Sequence, residues 1–233
     1  MNSITIQQPN GSDSSEGSAT QRTCKALRRM IIQGEIKPGE KLKIDGLCKR
    51  LNTGASPVRE ALSLLSSGHL VQRSDQRGFR AAPVSRANFE EILKLRCTLE
   101  DMALRDSIAN MDEKWEESVV LSHHRMTRKP VEEIDVFEEH HKSFHMTLLA
   151  NCQAPIMFEF CSQLYDLNIR YRLLALRSLN YHNRHVTDEH LGIMEAAIAG
   201  DAELASERLL AHYCSTGTYL MELFESDDLL VVS

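Results

Sequence analysis

The residues of this chain best suited to chemistry are histidines. From Phe137 to Cys152 the apolar positions Phe137, Phe144, Leu148, Leu149 and Cys152 trace one face of a helix, and His141 and His145 fall on that same face, one turn apart. Two imidazoles at i and i+4 can hold a single metal ion. His190 shares a stripe with Ile193, Met194 and Ala197, and His212 with Ala205, Leu209 and Thr216. A single inward histidine is usually a core residue hydrogen-bonded to a neighbour. Four of them on three helices would need four separate buried partners, and one shared metal satisfies them together. His123, His124, His140, His182 and His185 lie off the stripes or in loops and read as surface residues. An all-imidazole set suits Zn²⁺ first and Ni²⁺ or Co²⁺ next, over the oxygen-preferring Mg²⁺ and Ca²⁺. A metal-dependent hydrolase acting through bound water is one alternative. Against it, the pair reads His141-Lys142-Ser143-Phe144-His145, without the glutamate of H-E-x-x-H, and G-x-S-x-G, P-loop and G-x-G-x-x-G motifs are absent.

A second group of residues suits phosphate and base edges. Ser56 and Pro57 suit the N-cap and first position of a helix, and put Arg59 in its opening turn. Lys49 and Arg50 close the preceding short helix, and the turn between them, Asn52-Thr53-Gly54-Ala55, is that of a helix-turn-helix. The second helix of such a motif enters the major groove, while flanking cations and a wing hold the backbone. Here the wing is an expected β-hairpin of residues 69–73 and 79–82, carrying Arg73, Arg77, Gly78 and Arg80. Each cation alone could be a solvated surface charge; clustered around one motif they read as a DNA face.

These residues need two kinds of scaffold. The chain has 233 residues and a formal charge of −6, which by itself argues against nucleic acid. Residues 1–83, however, carry 13 Lys+Arg against 7 Asp+Glu, and residues 84–233 carry 14 against 26. A basic module is thus joined to an acidic one. Residues 1–17 are Ser-, Gly-, Asn- and Gln-rich and read as a disordered tail, residues 18–83 as a DNA-binding domain, 84–225 as an α-helical metal-binding domain and 226–233 as a second tail. Beyond Pro83 every segment has helical period: about 87–110, 112–128, 131–151, 154–179, 187–199 and 201–225. The expected fold is mainly α, a winged helix-turn-helix followed by an all-α bundle. No run approaches the roughly 18 apolar residues of a membrane span, and the N-terminus lacks the pattern of a signal peptide, so a cytoplasmic protein is expected. The six cysteines form no C-x-x-C pair and read as reduced thiols.

Ile32 to Leu42 (IQGEIKPGEKL), Ser56 to Leu62 (SPVREAL), Gly68 to Val71 and Arg77-Gly78-Phe79 resemble the N-terminal winged helix-turn-helix of GntR-family bacterial transcription regulators. That family usually has Ser-Arg-Thr before Pro-Val-Arg-Glu; Ala55 stands where its DNA-contacting Arg would be, shifting weight to Arg59 and the wing. Phe144-His145, Glu189-His190, Gly200-Asp201 with Ala205, and Ala211-His212 are similar to the FadR-type (FCD) C-terminal domain. The resemblance spans about residues 20–222. It implies a homodimer on double-stranded operator DNA, and a divalent metal held by an Asp and three His that helps bind a small carboxylate or dicarboxylate effector. His145, His190 and His212 match the three histidines, and His141 stands where the family has Asp. A neutral set leaves the ion's full charge to be met by an anionic ligand. Leu93 to Met102 resembles the family's Arg-x-x-Leu-Glu segment, making Arg96 a candidate second anchor for the carboxylate; simple surface pairing with Glu100 is the alternative. On the fourth bundle helix the stripe Cys161, Leu164, Asn168, Tyr171, Arg172, Ala175 has polar interruptions, so Asn168, Tyr171 and Arg172 are candidate cavity residues; a one-residue rotation would substitute Arg170. A regulator that senses the metal itself, with no organic effector, would use the same residues.

Overall fold

The computed structural model describes residues 17–74, 78–128, 134–176 and 186–225. The tails expected over 1–17 and 226–233 therefore lie outside the described residues, apart from Gly17, as do Arg77, His182 and His185. The chain divides into two compact units, one drawn from residues up to Ile31 and from Glu40–Ala82, the other from Ile32–Gly39 and from Pro83 onward.

In the first unit, helix α1 (Ala19–Ile32) buries Leu27, Met30 and Ile31. Helix α2 (Ile44–Leu51) ends at Asn52, which adopts the left-handed conformation that Asn tolerates (φ 48°) and returns its N–H to the Cys48 carbonyl. Helix α3 (Ala55–Ser67) begins earlier than expected: Gly54 is the N-cap, with no side-chain cap. Ser56 is therefore inside the first turn, where its hydroxyl donates to Glu60 Oε1 at 2.9 Å rather than capping. Pro57 is still harmless there, because the first-turn N–H groups have no intrahelical acceptors. The hairpin forms as β2 (Val71–Ser74) and β3 (Gly78–Ala81), with Arg73 opposite Phe79. Lys41–Leu42 adds a strand, β1, giving the order β1-β3-β2. Two residues are too short to show alternation, so the sequence did not announce it.

The second unit contains helices α4 (Arg86–Ala109), α5 (Glu113–Thr127), α6 (Ile134–Leu148), α7 (Pro155–Leu176), α8 (Val186–Ile198) and α9 (Ala202–Glu225). Ser85 caps α4 by accepting the Asn88 N–H, and Asp112 caps α5 by accepting that of Trp115 at 2.7 Å. Leu104, Val119, Phe144, Leu148, Ile193 and Leu209 meet in one core, each buried side chain contributing about 1.5–3 kcal/mol. His123 corrects the surface reading: it is buried on α5 and meets the Phe144 ring edge-on at 5.5 Å. It follows Val119 by one turn, so the inward arc of α5 is wider than a single stripe suggests. No helix among the described residues is long and apolar enough to cross a membrane.

Candidate functional site

Helix α6 supplies His141 and His145, α8 supplies His190 and α9 supplies His212; all are buried. Their ligand atoms all lie within 4.8 Å of one another, and the Nε2 atoms of His145 and His190 are 3.3 Å apart. A tetrahedral ion with metal–nitrogen bonds of about 2.0–2.1 Å needs ligand separations of about 3.3–3.4 Å. One edge of the set has that length and every other separation is within 4.8 Å, so the donor set is compatible with a metal ion of this kind.

Outer partners assign the protons. The Tyr213 hydroxyl donates to Glu100, so its oxygen accepts from His145 Nδ1 at 3.0 Å. Glu189 Oε2 accepts from His212 Nδ1 at 2.6 Å. An Arg172 N–H donates toward His141 Nε2 at 3.3 Å, which leaves the proton on Nδ1, 2.5 Å from the Tyr165 hydroxyl. The imidazoles of His145 and His212 thus keep Nδ1 protonated and leave Nε2 as the lone-pair atom, the form a metal takes, whereas the Nε2 lone pair of His141 accepts from Arg172. Burial, reinforced by the neighbouring histidines and Arg96, holds His141 and His145 well below the usual imidazole range; burial and the other rings do the same for His190. Neutral imidazoles are the metal-binding form.

Arg96 settles the choice between surface and interior. Arg96 and Glu100 are 4% and 1% exposed, paired through Nε–Oε1 at 2.6 Å and a second bond at 3.3 Å. Burial alone would favour the neutral guanidine; the Glu100 charge outweighs it and the Arg96 pKa is raised. Its guanidinium carbon sits 4.2 Å from the Tyr213 ring centre and 5.2 Å from that of Tyr165. The cavity beside the histidines is lined by Arg96, Tyr165, Asn168, Arg172, Tyr213 and Thr216, among others. Tyr171 is placed elsewhere: its hydroxyl donates to Asn88 Oδ1 at 2.7 Å and its ring packs on Phe89, because it lies about 100° around α7 from Arg172. Arg170 is buried outside the cavity lining, so the stripe holds Arg172 rather than its rotated alternative.

In the first unit Lys49, Arg50, Arg59, Arg73 and Arg80 are all exposed. Arg73 donates to Ser63 Oγ at 3.1 Å, which anchors the wing to α3. Gly78 has φ 107°, open to glycine and strained for other residues, and opens strand β3. Lys41 stands directly opposite Arg80 in the sheet. Like charges facing each other across strands are unfavourable without an anion between them.

The sequence matches two family models: the description "Bacterial regulatory proteins, gntR family" over residues 19–80, and "FCD domain" over residues 91–214. The chain belongs to the GntR family, FCD type. This GntR regulator is a DNA-binding transcriptional regulator, as its relatives are named. It is 37% identical over 202 residues to the uncharacterized HTH-type transcriptional regulator BphR of Paraburkholderia xenovorans, covering 84% of this chain and 82% of that one. It is 30% identical to the HTH-type transcriptional repressor GlaR of Escherichia coli, covering 80% and 88% respectively. Among solved structures, E. coli McbR/YncC shares the fold with a TM-score of 0.77 at 21% identity, covering 90% of this chain and 100% of that one.

Several residues of the GntR regulator's site were not visible in its sequence. Glu189, Tyr165 and Tyr213 hold three imidazoles from other helices, and Glu138 pairs with Arg172. Only Glu189 carried a local signal, as the residue before His190.

Proposed function

We propose that the helical unit, residues 84–225, is a metal-dependent effector domain, and that a small carboxylate bound there controls the operator affinity of the unit at residues 18–83. The observation that carries this reading is the convergence of four buried imidazoles, with outer partners on the Nδ1 atoms of His145 and His212. His141, His145, His190 and His212 would hold Zn²⁺, or else Ni²⁺ or Co²⁺. Such an ion would supply a Lewis-acidic centre; four imidazoles complete a tetrahedral shell, so an anionic oxygen would enter as a fifth ligand. Arg96, Asn168 and Arg172 line the adjoining cavity and orient the acid, Arg96 through a guanidinium whose carbon lies 4.2 Å and 5.2 Å from the ring centres of Tyr213 and Tyr165.

On the DNA side, Arg59 reads base edges from the opening of α3, with Ser56 beside it. Lys49, Arg50, Arg73, Arg77, Gly78 and Arg80 contribute to the backbone contacts, and Lys41 joins Arg80 at one phosphate. The chain acts as a homodimer, and by likeness to GlaR as a repressor.

The test is a thermal-shift series of the full chain with acetate, succinate, malate and citrate, run with Zn²⁺ and again after chelation. Stabilisation by at least one acid in the metal-loaded sample alone is expected. Equal shifts in both samples would remove the metal from effector binding, and stabilisation by Zn²⁺ with no further shift from any acid would favour a metal sensor.

A further inference from the structure

Two thiols that neither site uses face each other between α4 and α9. The register of this antiparallel pair is fixed along its length. A Cβ at Gly217 would lie 2.5 Å from Leu93 Cδ2, so the Leu93 side chain packs directly on the α9 backbone there. Further along, the Tyr213 hydroxyl donates to Glu100, that of Ser206 to Asp101, and Arg105 to Glu203 at 2.6 Å. Cys97 is one turn beyond Leu93, and Cys214 is one turn before Gly217 on the opposing helix. Antiparallel pairing therefore sets them side by side, close enough for the Cys214 side chain to act on the Cys97 thiol. A disulfide needs its Cβ atoms within about 3.5–4.5 Å, a separation that facing positions on packed helices can reach. Cys97 is half-buried and Cys214 exposed, so an oxidant reaches the second first.

We propose that Cys97 and Cys214 form a peroxide-oxidisable dithiol that cross-links α4 to α9 behind the cavity wall. The Cys214 thiolate attacks one oxygen of hydrogen peroxide; the O–O bond breaks, and the departing hydroxide takes up a proton and leaves as water. Cys214 becomes a sulfenic acid. The Cys97 sulfur, giving up its proton, then attacks the Cys214 sulfur and displaces hydroxide, which leaves as a second water. Two thiols lose two electrons in all, and one peroxide becomes two waters. Burial first, and the Cys214 charge next, push the Cys97 thiol up to about 11, so Cys97 stays protonated and is not the first to react with peroxide. Arg96 adjoins Cys97 and Tyr213 adjoins Cys214, and both line the cavity, so the cross-link fixes that wall.

The experiment treats the full-length protein, as isolated, with hydrogen peroxide at pH 7.5, blocks remaining thiols with iodoacetamide and digests without reductant for mass spectrometry. The expected product is the Cys97 peptide joined to the Cys214 peptide, two hydrogens lighter than the separate thiols and reversed by dithiothreitol. Cys97→Ser should accumulate a Cys214 sulfenic acid trappable with dimedone, and Cys214→Ser should show neither species. The proposal is overturned if both thiols remain alkylatable after peroxide, if Cys214 joins a different cysteine or a second chain, or if Cys97 is oxidised first.

Discussion

At the level of single residues, the proposed centre depends on groups that never touch the ion. Glu189 accepts the His212 Nδ1 proton and thereby fixes where the Nε2 lone pair points. Glu189→Gln keeps the shape but removes the charge. It should weaken Zn²⁺ binding by about 10-fold, within the range of about 10–100-fold for outer-partner substitutions, as measured by competition with a chromogenic chelator. Tyr213→Phe deletes the acceptor for His145 Nδ1 and should act in the same direction. His123 offers a separate test in pH. It is buried, its Nε2 is without a hydrogen-bond partner among the described residues, and burial, with His124 next, lowers its pKa against a smaller opposing pull from Glu195. Below about pH 6.5 the unfolded chain takes up a proton that the folded chain refuses, so this residue costs stability as pH falls. His123→Leu should therefore raise Tm more at pH 5.5 than at pH 8. An equal change at both values would mean that the folded chain binds the His123 proton as readily as the unfolded one. The four inward histidines were legible because they fall on apolar stripes. His123 was missed because it borders its stripe, and Tyr165 and Tyr213 because nothing local marks a tyrosine as a hydrogen-bond partner from another helix.

Among the elements, α4 is the member that ties the cavity to the rest of the bundle. Its Arg96–Glu100 pair is buried, and Tyr213 of α9 donates to the same carboxylate. Removing one partner of a buried pair leaves a charge without compensation and costs about 3–5 kcal/mol. For a chain of this size that is a fall in Tm of roughly 6–20 °C. Glu100→Ala should show it by calorimetry, while the replacement of both partners, Arg96→Met with Glu100→Leu, should recover much of the loss and abolish any response to carboxylates. Helix order and type were readable from the 3.6-residue period, since each bundle helix has one face against the core. The start of α3 was not, because Gly54 caps it with backbone geometry alone and leaves Ser56 to bond Glu60. The placement of Tyr171 was misjudged for a related reason: α7 is buried on much of its circumference, so its polar residues do not define one cavity-facing line.

For the whole molecule, the net charge of −6 is the sum of two opposed modules, and the basic one should dominate DNA binding. Each phosphate contact contributes about 0.9 to the slope of log affinity against log salt. Arg80→Ala, with Lys41 facing it across the sheet, should reduce that slope by about 1 on any duplex, in fluorescence anisotropy. Arg59→Ala should instead weaken binding to the operator far more than to random DNA. The most direct test of the account is the metal content of the full-length protein, paired with the absorption spectrum of its Co²⁺-loaded form. One ion per chain is predicted, with the visible bands of a nitrogen-rich cobalt site that vanish in His145→Ala and His190→Ala. A wild-type chain that takes up no ion, or that keeps its ion and its spectrum in those variants, would contradict it.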